Sequence, residues 1–452
     1  MPAPIPHVSP LDLNANMDTL YLATLGTWLT LGFWTAASLA TIYFLESFRR
    51  HVERSATSEA PRGFSDDAWP EALVIMSLRG GDESLRRTLD GLASQDYPRY
   101  HIRLVIDNPR DEVNEVVHSW KHAHPDAPLQ VEYLREPLAK CTLKCSSVHQ
   151  VLSSTGPEVG VVVLVDGDSD PYPLWLHDAV APFSDPDVGA VTGNRWYFPR
   201  AGGLAAWCRF AFTAFSLPAM WRQHFSWGGT LAIRREIACS ETFLTAFART
   251  PTEEQTCFEV LPKLGKTMYF ASRLIQWNSE SASFDGAETH LFRQLAWSRL
   301  FYPSWGSIVF GTGAMTCAVA ASLVLAVAGI VTGKLLGTLP LTATFLFAAS
   351  IVIALGQLHE TLQQHVFSRQ GRNLPHLTPP RAVELFAGLL CTLGVYIFAL
   401  VRAQFAVAIV WRGIRYLIQT GGKIRMTEYR PWKRPVAAPR EQATPVRPLT
   451  AE

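Results

Sequence analysis

Charge of one sign in excess, paired cysteines and internal repeats are what this sequence lacks. Its 40 Lys and Arg balance 39 Asp and Glu, leaving a formal charge of +1. A nucleic-acid surface calls for a basic stripe, so no nucleic-acid partner is expected. The seven cysteines are odd in number and form no Cys-x-x-Cys pair. They read as free thiols in a reducing compartment. Cys141 and Cys145 are four apart and could in principle share a metal, but no second thiol or histidine pair at zinc-finger spacing accompanies them. Basic residues are also missing ahead of the first apolar run, Tyr21 to Phe44, whereas Arg49, Arg50 and Arg54 follow it closely. A secretory signal has a basic leader and a shorter apolar core. The run therefore reads as an uncleaved anchor, with residues 1–20 outside and the chain from Glu46 cytoplasmic by the positive-inside rule.

What the sequence has is long stretches without charge. Ser307–Val331 and Leu335–Leu358 contain no charged residue and exceed the roughly 20 residues needed to cross a bilayer. Leu385–Val401 is a shorter candidate. Four crossings place the carboxyl tail outside, yet Arg412, Arg415, Lys423 and Arg425 favour the cytosol, so Leu385–Val401 is either transmembrane or re-entrant. The end of the chain, 433–452, is rich in Pro, Arg and Ala without periodicity, the composition of a disordered tail.

Between the first two spans, strand and helix signals alternate. Apolar runs at Ala72–Met76, Ile102–Ile106, Val131–Leu134 and Val161–Val165 read as strands; Glu83–Leu92, with Leu85, Leu89 and Leu92 on one face, and Ser146–Leu152 read as helices. This alternation predicts an α/β domain over 70–290, a mostly parallel sheet with helices on both faces, followed by an amphipathic segment at 291–305. The last of these strands runs directly into Asp166-Gly167-Asp168-Ser169-Asp170. Ligands of open α/β sheets bind beyond the strand carboxyl ends, and two carboxylates there suit a hard divalent cation completed by substrate phosphates. A plain acidic turn is the alternative. Asp107, ending the Ile102–Ile106 strand, either joins that site or caps the Asn108-Pro109 turn.

Ordered along Leu73 to Tyr302, further motifs resemble those of the family 2 glycosyltransferases, inverting enzymes of the GT-A fold. They are Gln95-Asp96-Tyr97-Pro98, Val105-Ile106-Asp107, Asp166-Gly167-Asp168, Trp227-Gly228-Gly229-Thr230 and Thr252-Glu253-Glu254. One anchor before the domain and about three spans after it, with Trp411-Arg412-Gly413-Ile414-Arg415-Tyr416 beyond them, is similar to the layout of the ceramide glucosyltransferase-like enzymes. The resemblance implies that Asp107 contacts the donor base, Lys144 and Asp166 lie near the donor, and Asp168 with Asp166 binds Mg2+ or Mn2+. It implies Glu254 as catalytic base, with Glu253 beside it, where aspartate is usual. His224, Trp227 and Gly228 fall on the acceptor side, and a lone histidine in an aromatic segment also reads as structural. Arg293-Gln294-Leu295-Ala296-Trp297 resembles the segment under the donor diphosphate, assigning Arg293 and Trp297 to the donor although Ala296 replaces the usual arginine. Trp297, Phe301, Tyr302 and Trp305 equally suit a headgroup anchor. The expected activity is metal-dependent transfer of one sugar from a nucleotide donor, a UDP-sugar first, to a membrane lipid. The alternatives are a processive β-polysaccharide synthase and an inactive membrane scaffold.

Overall fold

A computed structural model of the chain describes residues 10–57, 64–65, 68–280 and 282–432, with side chains from Ala23 onward. The expected tail at 433–452 lies outside the described residues. Helix α1 (Pro10–Thr57) is much longer than the anchor read from hydropathy. The domain then runs β1 (Glu71–Leu78), α2 (Leu85–Ala93), β2 (Tyr100–Ile106), α3 (Val113–Ala123), β3 (Leu129–Tyr133), α4 (Leu143–Leu152), β4 (Val159–Val165), α5 (Trp175–Val180) and β5 (Val188–Trp196). It continues through α6 (Leu204–Ala214), α7 (Ser216–Gln223), β6 (Thr230–Arg234), α8 (Arg235–Ala238), α9 (Glu241–Phe247), α10 (Glu253–Val260), β7 (Thr267–Trp277) and α11 (Phe284–Phe301). Three long apolar helices follow, α12 (Trp305–Val331), α13 (Leu339–Leu362) and α14 (Pro379–Phe405), and then the short strands β8 (Ala408–Trp411), β9 (Ile414–Gln419) and β10 (Lys423–Met426).

The seven-stranded sheet has the order β3-β2-β1-β4-β6-β5-β7. Only β6 opposes its neighbours, β4 and β5; the other pairings are parallel. Alternating side chains of each buried strand face two layers. Ala72, Val74, Met76, Val161 and Val163 meet α2, α3 and α5, whereas Leu73, Ile75, Val162 and Leu164 meet α4 and α8 to α10. Register sets the site: Leu78 pairs with Ile106, Met76 with Val165, and Val165 with Thr230. The residues just after β1, β2 and β4 and just before β6 therefore share one sheet edge, where β5 also ends.

Helices α1, α12 and α13 pack together, tied by Trp34 Nε1 donating to Ser322 Oγ at 3.0 Å and Thr344 Oγ1 donating to the same oxygen at 3.2 Å. Such interhelical bonds and close small-residue packing replace the hydrophobic drive absent in lipid. Four helices are long and apolar enough to cross a membrane: α1, α12, α13 with its continuation to Phe367, and α14. The stretch expected at Leu385–Val401 is thus an unbroken helix of 27 residues. Both of its ends nevertheless meet the α/β domain. Arg381 donates to the Arg200 carbonyl and Trp207 to Glu384 near its start; Arg299 donates to the Ala403 and Ala406 carbonyls at its finish. Between them α14 lies along α6 and α11, with Phe212 and Tyr396 rings 5.7 Å apart. The strands β8 to β10 then fold onto the same domain, where the Leu143 amide donates to Tyr416 Oη at 3.2 Å and the Met426 amide to the Ala139 carbonyl at 2.8 Å.

Candidate active site

Carboxylates and cations alternate along the shared sheet edge. Lys144, in the first turn of α4 behind its Thr142 cap, donates to Asp166 Oδ1 at 2.6 Å and to the Gly228 carbonyl at 3.2 Å, and it contacts the buried Glu253 carboxylate. Burial alone would push the Lys144 ammonium down, but Asp166, Glu253 and Glu254 outweigh it and hold its pKa raised. Arg195, near the end of β5, grips Asp168 through both terminal nitrogens, with Nη1 2.7 Å from Oδ2, while its guanidinium lies 4.8 Å from the Trp227 ring centroid. Burial raises Asp168, yet the paired guanidinium wins and brings its pKa to about 2. Asp107 is buried and paired with Arg79. Its other oxygen, Oδ1, is buried without a hydrogen-bond partner among the described residues, and burial raises the Asp107 pKa against the opposing pull of Arg79.

Glu253 and Glu254 open α10 behind the Thr252 cap. Successive helical residues point in different directions, and this pair divides accordingly. Glu253 turns inward to Lys144, so closely against Gly228 that a Cβ there would collide with its carboxylate. Glu254 lines an open chamber and accepts from the Gly228 amide at 2.8 Å. Burial, then the nearby Glu253 charge, raise its pKa to about 7 against the opposing effect of Lys144.

Three spaces with lining residues in common adjoin here. A polar recess of about 200 Å³ is lined by Asp107, Asp166, Asp168, Arg195 and Arg293, with Arg412 at its rim. It shares Lys144, Asp166, Trp227 and Arg293 with a chamber of about 310 Å³ that holds Glu253 and Glu254. The chamber in turn shares Phe212, Ser216, Met220, Phe225, Gln294 and Ser298 with a cavity of about 600 Å³. That cavity is overwhelmingly apolar and reaches Trp34 of α1, Met315 of α12, Phe347 of α13 and Tyr396 of α14.

The structure thus brings Asp107, Lys144, Asp166, Asp168, Trp227, Glu253, Glu254, Arg293 and Trp297 around adjoining spaces, with Gly228 behind them bonded to Lys144 and Glu254. His224 is not brought to the chamber. It ends α7 with a left-handed φ of 54°, is exposed, and its Nδ1 lies 3.3 Å from the Met268 carbonyl, away from the chamber. Its backbone role explains its position. Trp297 is also no headgroup anchor. It is buried at the chamber wall with its ring 6.3 Å from that of Tyr416. Sequence reasoning missed Arg79, Arg195, Tyr197 and His290, and took Arg412 only as part of a shared segment beyond the last span. Arg195 carried a signal, because a charge inside the buried strand Val188–Trp196 requires a partner. His290 lines the recess as a neutral imidazole, its pKa lowered to about 3 by burial and then by Arg293, Arg209 and Arg195.

Among the described residues, no group of three or more His, Cys, Asp and Glu side chains stands ready to hold a metal ion. Asp166 and Asp168 present hard oxygen donors to the recess, both already ion-paired. This donor set fits Mg2+ or Mn2+ only where substrate phosphates complete the shell, not a cage made by the protein alone. The seven cysteines are free.

Glycosyltransferase AglE of Haloferax volcanii is 25% identical over 139 residues, 30% of this chain and 43% of that protein, so the chain spans less than half of this relative. Among solved structures, the mannosyltransferase PcManGT of Pyrobaculum calidifontis, in complex with GDP-Man and Mn2+, is similar at 18% identity and a TM-score of 0.45, over 83% of this chain and 99% of that one. Glucosyl-3-phosphoglycerate synthase of Mycobacterium tuberculosis, in complex with Mn2+, UDP and phosphoglyceric acid, is similar at 16% identity and a TM-score of 0.35, over 51% and 79%. The model of glycosyl transferase family 21 matches residues 32–424, most of the chain. This protein, with its GT-A type mixed sheet and its four long apolar helices, is a glycosyltransferase and belongs to glycosyl transferase family 21.

Proposed function

We propose that this chain moves one sugar from a nucleoside-diphosphate donor to the hydroxyl of a membrane lipid, inverting the anomeric carbon. The observation that carries the reading is the adjacency of the three spaces, which share wall residues. Glu254 stands between a recess lined by carboxylates and guanidinium groups and an apolar cavity walled by the long helices. A cavity of this size and lining suits lipid chains, while the recess suits a charged diphosphate. The lipid hydroxyl enters the chamber from the apolar side, and Glu254 takes its proton as the oxygen forms a bond to the anomeric carbon. The bond from that carbon to the diphosphate breaks on the opposite face, and the leaving group departs with the electron pair. An α-linked donor then yields a β-glycoside. A carboxylate with its pKa near 7 is well matched to a general base at neutral pH. Asp166 and Asp168 would hold a divalent ion together with the donor, and the ion would neutralise charge on the departing diphosphate. Lys144 and Arg293 face the same recess and supply fixed positive charge.

Helices α1, α12 and α13 cross the bilayer, and α14 lies along its surface on the side of the α/β domain, which returns the tail to that side. Arg49, Arg50 and Arg54 at the end of α1 support a cytosolic position for that side under the positive-inside rule. Isolated membranes supplied with labelled UDP- and GDP-sugars test the activity. A discrete lipid-extractable glycolipid with a β-linkage is expected. A ladder or a high-mass glycan resistant to extraction would transfer the assignment to polymer synthesis.

A further inference from the structure

Strands β8 and β9 are joined by the two residues Arg412 and Gly413, with Trp411 paired to Ile414 across the turn. Both turn residues are left-handed, φ 44° and 78°. Hairpin turns of this kind favour Asn-Gly or Gly-Gly, because an L side chain crowds its own backbone at positive φ. An arginine at the first position is a choice against backbone preference, and such outliers collect where a side chain has work elsewhere. Arg412 has a direction fixed from two sides. Its Nη1 donates to the Arg79 carbonyl at 2.9 Å and its Nη2 to Asp82 at 2.7 Å, while Arg79 Nε donates back to the Arg412 carbonyl at 2.9 Å. This holds the guanidinium at the rim of the polar recess, in company with Asp168 and Arg293.

The charges around it are unevenly matched. Arg79 and Arg195 are buried against Asp107 and Asp168. Arg293 has no carboxylate partner among the described residues and lies 5.8 Å from the ring centroid of Trp411, the neighbour of Arg412. Asp82, the partner of Arg412, is about one-third exposed, as is Arg412 itself, so solvent screens that pair. Two guanidinium groups therefore face the recess with capacity for an anion, and planar guanidinium forks match phosphate oxygens.

We infer that Arg412, carried in by the carboxyl-terminal hairpin, binds the donor diphosphate together with Arg293. The inference rests on the donor reading above and adds that the recess is incomplete without a segment distant in sequence. Arg412→Asn separates ligand from scaffold, since asparagine favours the left-handed turn but carries no charge. With the purified full-length protein and Mn2+, calorimetric titration with UDP and GDP, each against its monophosphate, reads the effect. Relative to wild type, Arg412→Asn is expected to unfold at an unchanged or higher temperature and to bind the diphosphate about ten- to a hundredfold more weakly. Monophosphate binding should change far less, and Arg412→Lys should fall between. Equal diphosphate binding by Arg412→Asn and wild type overturns this inference alone, as does equal weakening for both nucleotides with a lowered unfolding temperature. Wild-type protein that binds neither diphosphate overturns the donor reading and this inference with it.

Discussion

Replacing Glu254 with glutamine removes a proton acceptor while leaving the loop it anchors. The Gly228 amide donates to Glu254 Oε1 at 2.8 Å, and the carboxamide oxygen of glutamine accepts the same bond. The Trp227-Gly228-Gly229 turn keeps its anchor, and donor binding should stay near wild type. Loss of a general base lowers turnover by about 10²- to 10⁴-fold, or roughly 3–5 kcal/mol in the barrier. Stability should move in the other direction. The folded carboxyl has its pKa at about 7, above the ordinary glutamate value of 4.5. Its contribution is therefore complete below the unfolded pKa and is lost as pH rises through about 7. At alkaline pH the neutral glutamine avoids a penalty on the order of 3 kcal/mol at most.

The pH profile identifies the group. Wild-type turnover should climb with pH through about 7 and then level as Glu254 loses its proton. In Glu254→Gln that acid limb should vanish. Glu253→Gln acts differently, because its carboxylate is buried against Lys144. Removing it takes a like charge from beside Glu254, so the limb should shift to lower pH. It also breaks a buried pair, at a cost on the order of 2 kcal/mol; this is less than the roughly 3–5 kcal/mol of a fully orphaned charge, since Lys144 keeps Asp166 and the Gly228 carbonyl. The assay is initial release of nucleoside diphosphate from saturated membranes between about pH 5 and 9, with unfolding followed separately. If Glu254→Gln kept the limb and the rate, or if Glu253→Gln abolished the limb in a fully stable protein, the assignment of the base would be wrong.

Mn2+ alone should bind weakly, because Arg195 and Lys144 already occupy Asp168 and Asp166; calorimetry should show binding strengthen on adding UDP or GDP, and excess EDTA should stop transfer. Tight binding to nucleotide-free protein would contradict the substrate-completed site. Ala219→Trp, which fills the apolar cavity from its wall, should reduce sugar transfer to lipid by at least about tenfold while diphosphate affinity holds; unchanged transfer would exclude this cavity as the acceptor path. His224→Gly should leave turnover within about twofold and stability within about 1 kcal/mol, because glycine accepts the left-handed backbone that histidine holds there. A large loss of turnover would return His224 to the acceptor side.

The sheet edge was legible because each of its strands carries its own signal. Val161 to Val165 is apolar without a break and then turns acidic, and the same change occurs from Ile106 to Asp107. Parallel pairing places those ends together once the strands are recognised. Helix limits were less exact: the expected Glu83–Leu92 begins at Leu85 and ends at Ala93. Periodicity locates a buried face better than the turn that ends it. The role of Gln95 was visible as a motif only. In the fold it is a tie, donating to the Gly91 and Tyr172 carbonyls at 2.6 and 2.9 Å and accepting from the Leu176 amide at 2.8 Å. It joins the end of α2 to the chain that leaves the acidic turn.

Contacts across long stretches of chain were not legible. The hairpin bearing Arg412 reaches Arg79 and Asp82 from the far end of the sequence, and no local pattern announces such a return. Arg293 and Ala296 looked like a degraded version of one compact motif. In the fold, Ala296 is fully buried in the cluster that includes Ile409, Ile414 and Tyr416 of the hairpin, while Arg293 reaches the recess beside Trp411. The packing of the hairpin and the loss of a charged side chain at 296 are therefore connected: a surface that must seat Ile414 and Tyr416 has no room for a buried, unpaired guanidinium.

The division between the two adjacent glutamates follows from the same economy of position. Both open one helix, yet a single ammonium decides their roles. Lys144 binds Asp166 toward the recess and Glu253 toward the interior, and it spans the two through the Gly228 carbonyl. Glu254 lies close enough for Lys144 to oppose the rise of its pKa, but its hydrogen bond goes to the Gly228 amide instead. One glycine thus offers its carbonyl to the lysine and its amide to the proposed base, and its missing side chain is the space into which Glu253 packs. Any side chain at position 228 would displace Glu253, and through it Lys144, from Asp166. Asp166 and the proposed base Glu254 are held in register by that one backbone unit, which explains why a glycine stands there even though its φ is not left-handed.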